Sequence, residues 1–291
     1  MFGVDLDQLA QGLATGLVLA AVYVLIALGL ALVFSILKVI NFAHGDFVML
    51  GAVATFFLYS EWGVPFALTA VLVGVGGLAV GAASERLIFR RFEGNLLGAF
   101  VVSLGLAWIL QMAATEVFGH QPRSVPAVVD GGVSVAGARI TYDRLLIVVV
   151  GVAVVAVVWL LLEGSQTGRA MRAVSQNGHA ATILGIDGHR TMMLGFAVAS
   201  ALAALAGALI APVFSVSVEM GIQFSIKAFI IVILGGMGSL PGAVLAGALL
   251  GLAEGLGGLF VSNSALTLIE FVLVIAVLVL RPRGLMGVAD E

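Results

Sequence analysis

Residues 163–190 read EGSQTGRAMRAVSQNGHAATILGIDGHR, and this polar stretch lies between two apolar runs. The run before it, Leu145–Leu162, contains no Asp, Glu, Lys or Arg, and neither does the run after it, Thr191–Val218. Each run is long enough for a membrane helix, which needs about 20 apolar residues. A polar loop between two such helices lies in water. Its Arg169, Arg172 and Arg190 place it on the cytoplasmic side.

The second half of this loop predicts a short helix. Asn177 is a good N-cap for a helix over residues 178–184, and Gly185 can end it. The helix would present a small apolar surface formed by Ala180, Ala181, Ile183, Leu184 and Ile186. Two hypotheses fit such a surface: a docking element for a soluble partner, or an amphipathic loop that lies on the lipid headgroups.

The composition is that of a membrane protein. Of the 291 residues, 62% are hydrophobic and 10% are charged, whereas soluble domains carry about 25% charged residues. The chain has no cysteine, which excludes disulfides, thiolate metal sites and cysteine nucleophiles. The first residues carry Asp5 and Asp7 but no basic residue, so we expect the first span to remain as an uncleaved anchor.

The apolar runs predict an all-α polytopic membrane protein with eight to nine transmembrane segments, some of them broken, in one domain over residues 1–291. The predicted segments are Leu9–Leu37, Phe47–Ser60, Phe66–Ser84, Leu96–Phe118, Leu145–Leu162, Met192–Ala211, two shorter helices within Gly221–Ser264, and Ala265–Leu280. Residues 119–143 form a polar external loop, in which Val133–Val135 and Arg139–Tyr142 have the pattern of a small strand pair.

The placement of basic residues predicts the orientation. With the N-terminus outside, nine alternating segments place nine basic residues inside and four outside, which is the bias expected of cytoplasmic loops. The inside set is Lys38, Arg86, Arg90, Arg91, Arg169, Arg172, Arg190, Arg281 and Arg283, and the outside set is Arg123, Arg139, Arg144 and Lys227. The C-terminus is then cytoplasmic.

Two polar breaks interrupt the apolar segments, Asn41–Asp46 in the first half and Gly235–Gly242 in the second. Non-helical backbone at membrane depth is tolerated only where it is buried in protein or lines a cavity, and intramembrane polar residues are functional candidates. The candidates for the transport pathway are Asn41, His44, Asp46, Gln111, Lys227, Gly236 and Glu254.

Each candidate also has a structural alternative. Asn41 and Asp46 can cap broken helix ends while His44 bonds a carbonyl group, and Lys227 can pair with Glu254 across two helices. The glycine break can be a tight turn without a part in gating. Glycines at 74, 76, 77 and 81, and at 247, 251, 255 and 258, predict closely packed helices.

Motifs for catalysis are incomplete. A phosphate-binding loop needs Gly-x-x-x-x-Gly-Lys-Ser/Thr, but the only lysines, Lys38 and Lys227, follow Leu37 and Ile226. Gly45-Asp46 lacks the first glycine of Gly-x-Gly-Asp. His44 with Asp46 makes a poor metal site. We therefore expect no catalytic residue, metal or cofactor in this chain, and an ATP-driven motor would be another chain.

Several motifs resemble those of permease subunits in branched-chain amino acid ABC importers. They are Gly168–Ala173 with Ala180-Ala181 and Leu184–Ile186, then Ala203–Leu209, Asn41–Asp46, Glu85-Arg86, Leu234–Gly242 and Arg281–Leu285. Together they cover nearly the whole chain. Two positions depart from the family pattern: Arg90-Arg91 stands where Arg-Pro is common, and residues 176–179 lack the acidic residue that often precedes Ala-Ala.

The resemblance implies that residues 163–190 hold a coupling helix that docks in a groove of an ATPase subunit. The coupling residues would be Ala180, Ala181, Leu184, Gly185 and Ile186, with Arg169 and Arg172. The implied partners are a related second permease, two cytoplasmic ATPases that bind ATP and Mg, a periplasmic substrate-binding protein and membrane lipid, without nucleic acid. The location would be the bacterial inner membrane.

The implied function is ATP-driven import of branched-chain or related hydrophobic amino acids or amides by alternating access, in a subunit that is not itself an enzyme. The alternative is a stand-alone secondary carrier or channel for amino acids or for amides such as urea. An intramembrane enzyme is a more distant third hypothesis.

Overall fold

The structure, a computed structural model, describes residues 5–135, 138–281 and 283–287. Its helices are α1 (Leu6–Leu37), α2 (His44–Thr55), α3 (Phe66–Leu87), α4 (Leu96–Phe118), α5 (Tyr142–Gly164), α6 (Gln166–Ile183), α7 (Gly188–Ile210), α8 (Met220–Gly235), α9 (Leu240–Gly257) and α10 (Asn263–Leu280). A π-helical stretch, Phe56–Glu61, extends α2, and a 3-10 turn, Phe89–Phe92, follows α3. The strands are β1 (Gly132–Val135) and β2 (Ala138–Thr141).

The predicted all-α membrane fold is confirmed, and all nine apolar segments predicted from the sequence contain a helix. Within the described ranges, six helices are long and apolar enough to cross a membrane: α1, α3, α4, α5, α7 and α9. The apolar helices α8 and α10 are shorter, and α2 reaches a comparable length only with its π-helical extension. The count of eight to nine spans therefore stays a prediction.

The centre of the fold is formed by α1 and α7. The first is buried without interruption from Ala20 to Val33, and the second from Ala199 to Ala204. Neither stretch contains a charged residue, as expected of a helix that is apolar on all sides and surrounded by protein. By contrast, α3, α4, α5 and α10 keep large exposed apolar side chains, which suits helices that face lipid.

Small residues allow the helices to approach closely, as their spacing predicts. A Cβ atom on Gly247 of α9 would lie 3.1 Å from the backbone nitrogen of Val24 in α1. One on Gly77 of α3 would lie 2.8 Å from Cα of Ala201 in α7. Gly76, in contrast, faces open space, so not every glycine in the predicted set lies at an interface. Helix packing in lipid depends on such van der Waals contact, since lipid and leucine are equally apolar.

The predicted strand pair in the loop between α4 and α5 is confirmed. β1 and β2 are antiparallel, with Val133 opposite Ile140. Below the hairpin, the Asp143 carboxylate accepts hydrogen bonds from the amides of Val128 and Val129, each at 3.0 Å. The same loop reaches the connection between α7 and α8 through backbone hydrogen bonds of Arg123 with Val216. These loops therefore lie together at one end of the bundle.

Candidate functional site

The first polar break separates α1 from α2 inside the bundle. Lys38 ends α1 with a φ of 52°, and the chain is irregular from there to Asn41. The Phe42 amide donates to Oγ of Ser103 in α4 at 3.0 Å, and the Phe42 carbonyl accepts from Oγ of Ser225 in α8 at 2.7 Å. Both serines lie within helices of the bundle, so protein satisfies these freed backbone groups of the break.

Sequence reasoning missed Ser103 and Ser225. A serine in an apolar helix ordinarily bonds a carbonyl of the preceding turn, and Ser103 Oγ does donate to the Phe100 carbonyl at 2.7 Å. The sequence around such a serine does not indicate that it has a second partner in another helix. Ser225 Oγ also accepts from the Gly45 amide at 2.9 Å, so one hydroxyl joins α8 to both sides of the break.

The three polar residues of this break are fully buried, and each has a protein partner. Asn41 Oδ1 accepts from the Ala43 amide at 3.1 Å, and His44 Nε2 lies 2.9 Å from the Ile26 carbonyl in α1. The His44 contact matches its structural alternative, whereas Asn41 bonds the amide two residues further on and does not cap α2. For Asp46 that alternative is wrong: its Oδ1 caps no helix end but accepts from Gln111 Nε2 of α4 at 2.8 Å. The structure thus brings together two pathway candidates from different helices.

Three polar atoms at the same break have no hydrogen-bond partner among the described residues. They are Asn41 Nδ2, His44 Nδ1 and Asp46 Oδ2. Buried polar groups are normally paired, so unpaired ones call for water, an ion or a ligand. No group of three His, Cys, Asp or Glu residues in the described part of the chain could hold a metal. The pathway role of these residues stays a prediction.

A charged cluster joins four helices. Lys227 of α8 lies 3.0 Å from Oε2 of Glu254 in α9 and 2.7 Å from both carboxylate oxygens of Glu270 in α10. Tyr23 of α1 donates its hydroxyl to Oε2 of Glu254 at 2.6 Å. The predicted pairing of Lys227 with Glu254 is confirmed. Lys227 is inside a helix rather than in an external loop, so it does not belong in the count of external basic residues.

The second predicted break, within Gly235–Gly242, lies between α8 and α9, and we name it the glycine hinge. Gly236 has a φ of 106° and Gly238 a φ of 82°, values that favour glycine because side chains with a Cβ are strained there. Ser239 then caps α9, its Oγ accepting from the Gly242 amide at 3.1 Å, and Pro241 lies in the first turn, where its missing N–H is no loss. All of these residues lie within the segment that the sequence marked as a break.

The C-terminal segment completes this hinge. The Leu285 amide donates to the Leu234 carbonyl at 2.8 Å, and the Met286 amide donates to the Gly235 carbonyl at 3.0 Å. These carbonyls end α8 and would otherwise lack partners. A Cβ on Gly284 would lie 2.7 Å from Cα of Gly236, so this contact also requires glycine on both sides. The sequence analysis identified the motifs Leu234–Gly242 and Arg281–Leu285 separately and did not predict that they are in contact.

The polar loop is helical over more of its length than predicted. α6 begins at Gln166, and Oγ of Ser165 accepts from the Gly168 amide at 2.9 Å. The buried residues Met171 and Val174 are three positions apart, which is a helical spacing that the charged neighbours obscured. α6 therefore has an ordered first half before the predicted short helix.

The arginines of this first half bond the chain's own backbone. Arg169 Nη1 donates to the Gly164 carbonyl at 3.0 Å. Arg172 donates to the carbonyls of Leu162 and Glu163. These carbonyls end α5, where cations are favourable. Both arginines therefore fasten α6 to α5, in addition to any contact with a partner.

The predicted cap of the short helix is confirmed. α6 is kinked at Asn177, whose φ of −156° and ψ of 98° are not helical. Its Oδ1 accepts from the Ala180 amide at 2.9 Å. Gly185, with a φ of 83°, follows the helix.

The predicted apolar surface of the short helix needs one correction. Ile183 and Leu184 are 74% and 80% exposed, but Ala181 is only 2% exposed. The Ala181 carbonyl also accepts from the half-buried Ile186 at 3.0 Å. Ala181 therefore faces the protein, whereas Leu184 faces outward. Residues three positions apart on a helix point in somewhat different directions, so one of them can be buried while the other is exposed. The exposed apolar tip is Ile183 and Leu184, next to the exposed Ala180.

Motif Glu85-Arg86 anchors the turn after α3. The buried Glu85 holds Arg90 through two hydrogen bonds, Nη2 to Oε2 at 2.8 Å and Nε to Oε1 at 3.2 Å. These bonds raise the pKa of the Arg90 guanidinium above its ordinary value. The pair gives Arg90 a structural role at one of the two positions where the chain departs from the family pattern.

The break, the hinge and α6 meet at one end of the bundle, opposite the β-hairpin. An open cavity of about 920 Å³ lies there between α1, α6 and the hinge. Its lining includes Lys38, Arg172 and Arg283 and no acidic residue. On the same end, His189 at the start of α7 lies 3.5 Å from Glu93 after α3. We name this cavity the basic basin.

Comparisons with known proteins agree with one another. The family described as "Branched-chain amino acid transport system / permease component" matches residues 12–280. The chain is 34% identical to the high-affinity branched-chain amino acid transport system permease protein BraD of Pseudomonas aeruginosa, covering 95% of each chain. It is 30% identical to LivH of Escherichia coli K12, a permease protein of a system described in the same words, again over 95% of each. No solved structure matches the chain significantly.

Proposed function

Because this chain belongs to the permease components of branched-chain amino acid transport systems, we propose that it forms part of the membrane pathway of an ATP-driven importer for branched-chain or related hydrophobic amino acids. The chain is a transport subunit rather than an enzyme, and the ATPase is a separate subunit. The solute class comes from the names of the relatives BraD and LivH.

The observation that carries the proposal is the exposed apolar tip of α6. Ile183 and Leu184 project from a polar loop, and a cap at Asn177 and a turn at Gly185 hold them in place. Two neighbouring large apolar side chains in water are unfavourable unless something covers them. An ATPase groove accounts for both the exposure and the rigid support. We assign docking to Ala180, Ile183 and Leu184, and positioning of α6 to Ala181, Arg169 and Arg172.

The contacts of α6 with α5 and α7 indicate how a movement of the ATPase would be transmitted to the membrane helices. α6 is fastened to α5 by Arg169 and Arg172. It joins α7 through Asp187, whose Oδ1 accepts from the Arg190 amide at 3.0 Å. α7 is part of the buried centre of the fold. A displacement at Leu184 would therefore act directly on a core helix, and alternating access would follow from rearrangement of the helices around it.

The remaining partners belong to the same proposal. A second, related permease would complete the pathway, two ATPases would bind ATP and Mg, and a periplasmic protein would deliver the solute. We place the chain in the inner membrane with the N-terminus outside. Residues 119–143 would be external, and residues 163–190 and the C-terminus cytoplasmic. The basic basin supports this orientation, since Lys and Arg are enriched in cytoplasmic loops.

Leu184→Asp is expected to uncouple ATP hydrolysis from uptake. An unpaired carboxylate buried in the ATPase contact costs several kcal/mol, whereas the isolated chain loses little because Leu184 is exposed. Uptake and ATPase activity are measured on the reconstituted complex at matched yield. Thr167→Asp is the control, since it adds the same charge to the exposed first turn of α6, where an acid is tolerated.

Normal coupled uptake by Leu184→Asp would contradict docking at the tip and favour the headgroup hypothesis. Uptake by this chain reconstituted without any ATPase would favour the stand-alone carrier. Ala181→Glu is not a suitable test, because Ala181 is buried and the change would disturb the fold of α6 itself.

Cysteine labelling is expected to show opposite sidedness for two serines. Ser175→Cys lies in the basic basin and should react with a membrane-impermeant thiol reagent only from the cytoplasmic side. Ser134→Cys lies exposed in β1 and should react only from outside. The parent chain has no cysteine, so it is an unlabelled control. Labelling of Ser175→Cys from outside would overturn the orientation.

A further inference from the structure

A second cavity, of about 500 Å³, adjoins the basic basin between α1, α5, α6 and the start of α9. The two cavities share the lining residues Ser35, Arg172, Ser175, Leu240 and Pro241. Beyond these shared residues, the second cavity is lined mainly by large apolar side chains, those of Leu32, Ile36, Trp159, Leu162 and Met171. We name it the apolar cleft. A basic space therefore continues into an apolar one at the same end of the bundle.

The apolar cleft lies beside surfaces that face lipid. In α5, Leu160 and Leu161 follow the half-buried Trp159 and are 70% and 57% exposed. In α9, Leu245 lies one turn beyond the cleft residue Pro241 and is also exposed. Tryptophan is enriched where a helix meets the membrane surface, and Trp159 is near the C-terminal end of α5. A lipid acyl chain can therefore reach the cleft from the bilayer.

The basic basin supplies positive charge that no acidic side chain compensates. Within the described ranges, Lys38, Arg172 and Arg283 form no ion pair. Arg172 bonds the carbonyls at the end of α5, which fixes its position but leaves its charge. Glu163 also lines the apolar cleft, but it is exposed and does not line the basin. The basin therefore favours an anionic group.

We propose that an anionic phospholipid occupies both cavities, with its phosphate group among Lys38, Arg172 and Arg283 and an acyl chain in the apolar cleft. Basic pockets between membrane helices bind such headgroups on the cytoplasmic side. An acidic segment of an ATPase would match the basin but not the cleft, so the apolar continuation favours lipid. The bound lipid would join α6 to the glycine hinge, whose Leu240 and Pro241 line both cavities. The inference rests on the membrane location of the chain and not on the solute that it carries.

Photolabelling from an acyl chain is expected to mark the apolar cleft. The chain, alone and in complex with its ATPases, is reconstituted in phosphatidylcholine nanodiscs with a small amount of phosphatidylglycerol that carries a photoreactive group on one acyl chain. Label at Leu32–Ile36 of α1, a region that is mostly buried, is measured by peptide mass spectrometry. It should exceed the label from a matching phosphatidylcholine probe by at least about 25-fold, because each Lys or Arg near an anionic headgroup contributes about a factor of five.

Removing two of the three cations is expected to remove most of this preference. Lys38→Gln combined with Arg283→Gln should lower the excess label from the phosphatidylglycerol probe about 25-fold. The matched control is Arg86→Gln combined with Arg91→Gln, which removes two exposed charges after α3 and lines neither cavity. The control should be labelled as the parent is. Should the first double variant fail to fold, Lys38→Gln alone should lower the excess about fivefold.

Several outcomes would overturn the inference. Equal labelling of the parent by the two probes is one, and parent-level labelling of the Lys38 and Arg283 variants is another. Labelling of the isolated chain that disappears in the complex would assign the basin to the ATPase. Displacement of the phosphatidylglycerol probe by inorganic phosphate, compared with sodium chloride at the same ionic strength, would show a site for free phosphate rather than lipid.

Discussion

Replacing Lys227 by methionine is expected to destabilise the protein by about 3–5 kcal/mol, the usual cost of leaving a buried ionic partner uncompensated. The side chains of Lys227, Glu254 and Glu270 are only 14%, 20% and 7% exposed. Without the ammonium group, two carboxylates would face each other in the bundle. α10 would lose its ionic contact with α8, so thermal unfolding of the detergent-solubilised protein should occur at a markedly lower temperature.

A triple variant separates the ionic cluster from packing. Lys227→Met combined with Glu254→Gln and Glu270→Gln removes every charge while keeping similar volumes, and such neutral replacements are often tolerated. We expect the triple variant to recover most of the lost stability. A Lys227→Met protein as stable as the parent would contradict the prediction. Equal instability of the single and triple variants would show that the cluster supplies shape rather than charge compensation.

Gly236→Val is expected to reduce uptake to less than about a tenth of the parent rate. Strained backbone at such a residue costs about 1–3 kcal/mol, and each 1.4 kcal/mol of it that adds to the barrier between transport conformations slows uptake about tenfold. The φ of 106° is poorly accessible to a β-branched residue. A Cβ would also lie 2.6 Å from the Gly287 amide nitrogen and 2.9 Å from the Arg283 carbonyl. The change would separate the C-terminal segment from the end of α8.

Two hypotheses for this hinge make different predictions. If the hinge gates the pathway, a Gly236→Val complex of normal yield and stability should hydrolyse ATP without uptake. If it is only a tight turn, the change should mainly lower yield and thermal stability. Gly63→Val is the matched control, because Gly63 also has a positive φ, of 66°, but has open space around it. Wild-type uptake by a stable Gly236→Val complex would end the gating hypothesis.

Local patterns in the sequence predicted the features that depend on neighbours along the chain. Apolar run length predicted the helices, Asn177 predicted its cap, and the glycines and proline of Gly235–Gly242 predicted the break between α8 and α9. The strand pair around Val133 and Ile140 was predicted in the same way. These features depend on helix length, capping chemistry and glycine conformation, which act within a few residues.

Such local patterns did not predict contacts between residues that are distant in the sequence. Nothing near Ser103 or Ser225 indicates that both bond the Phe42 backbone, and nothing near Leu285 indicates that it caps α8. The exposed apolar surface of the short helix was predicted correctly at Leu184 but wrongly at Ala181, whose burial depends on how α6 lies against the rest of the bundle. Helix capping was one of the two hypotheses for Asp46, yet its partner is Gln111 in a different helix.

The sequence by itself determined a polytopic helical permease with a polar loop, two broken segments and a cluster of basic residues on one side. Membrane solvation imposes these features, because every apolar run must be helical and every charge must find water or a partner. Only the tertiary structure decided which partner each buried polar group has, and that the backbone of Leu285 and Met286 satisfies the last carbonyls of α8. Those outcomes depend on the positions of helices that are far apart in the chain, and local composition does not encode them.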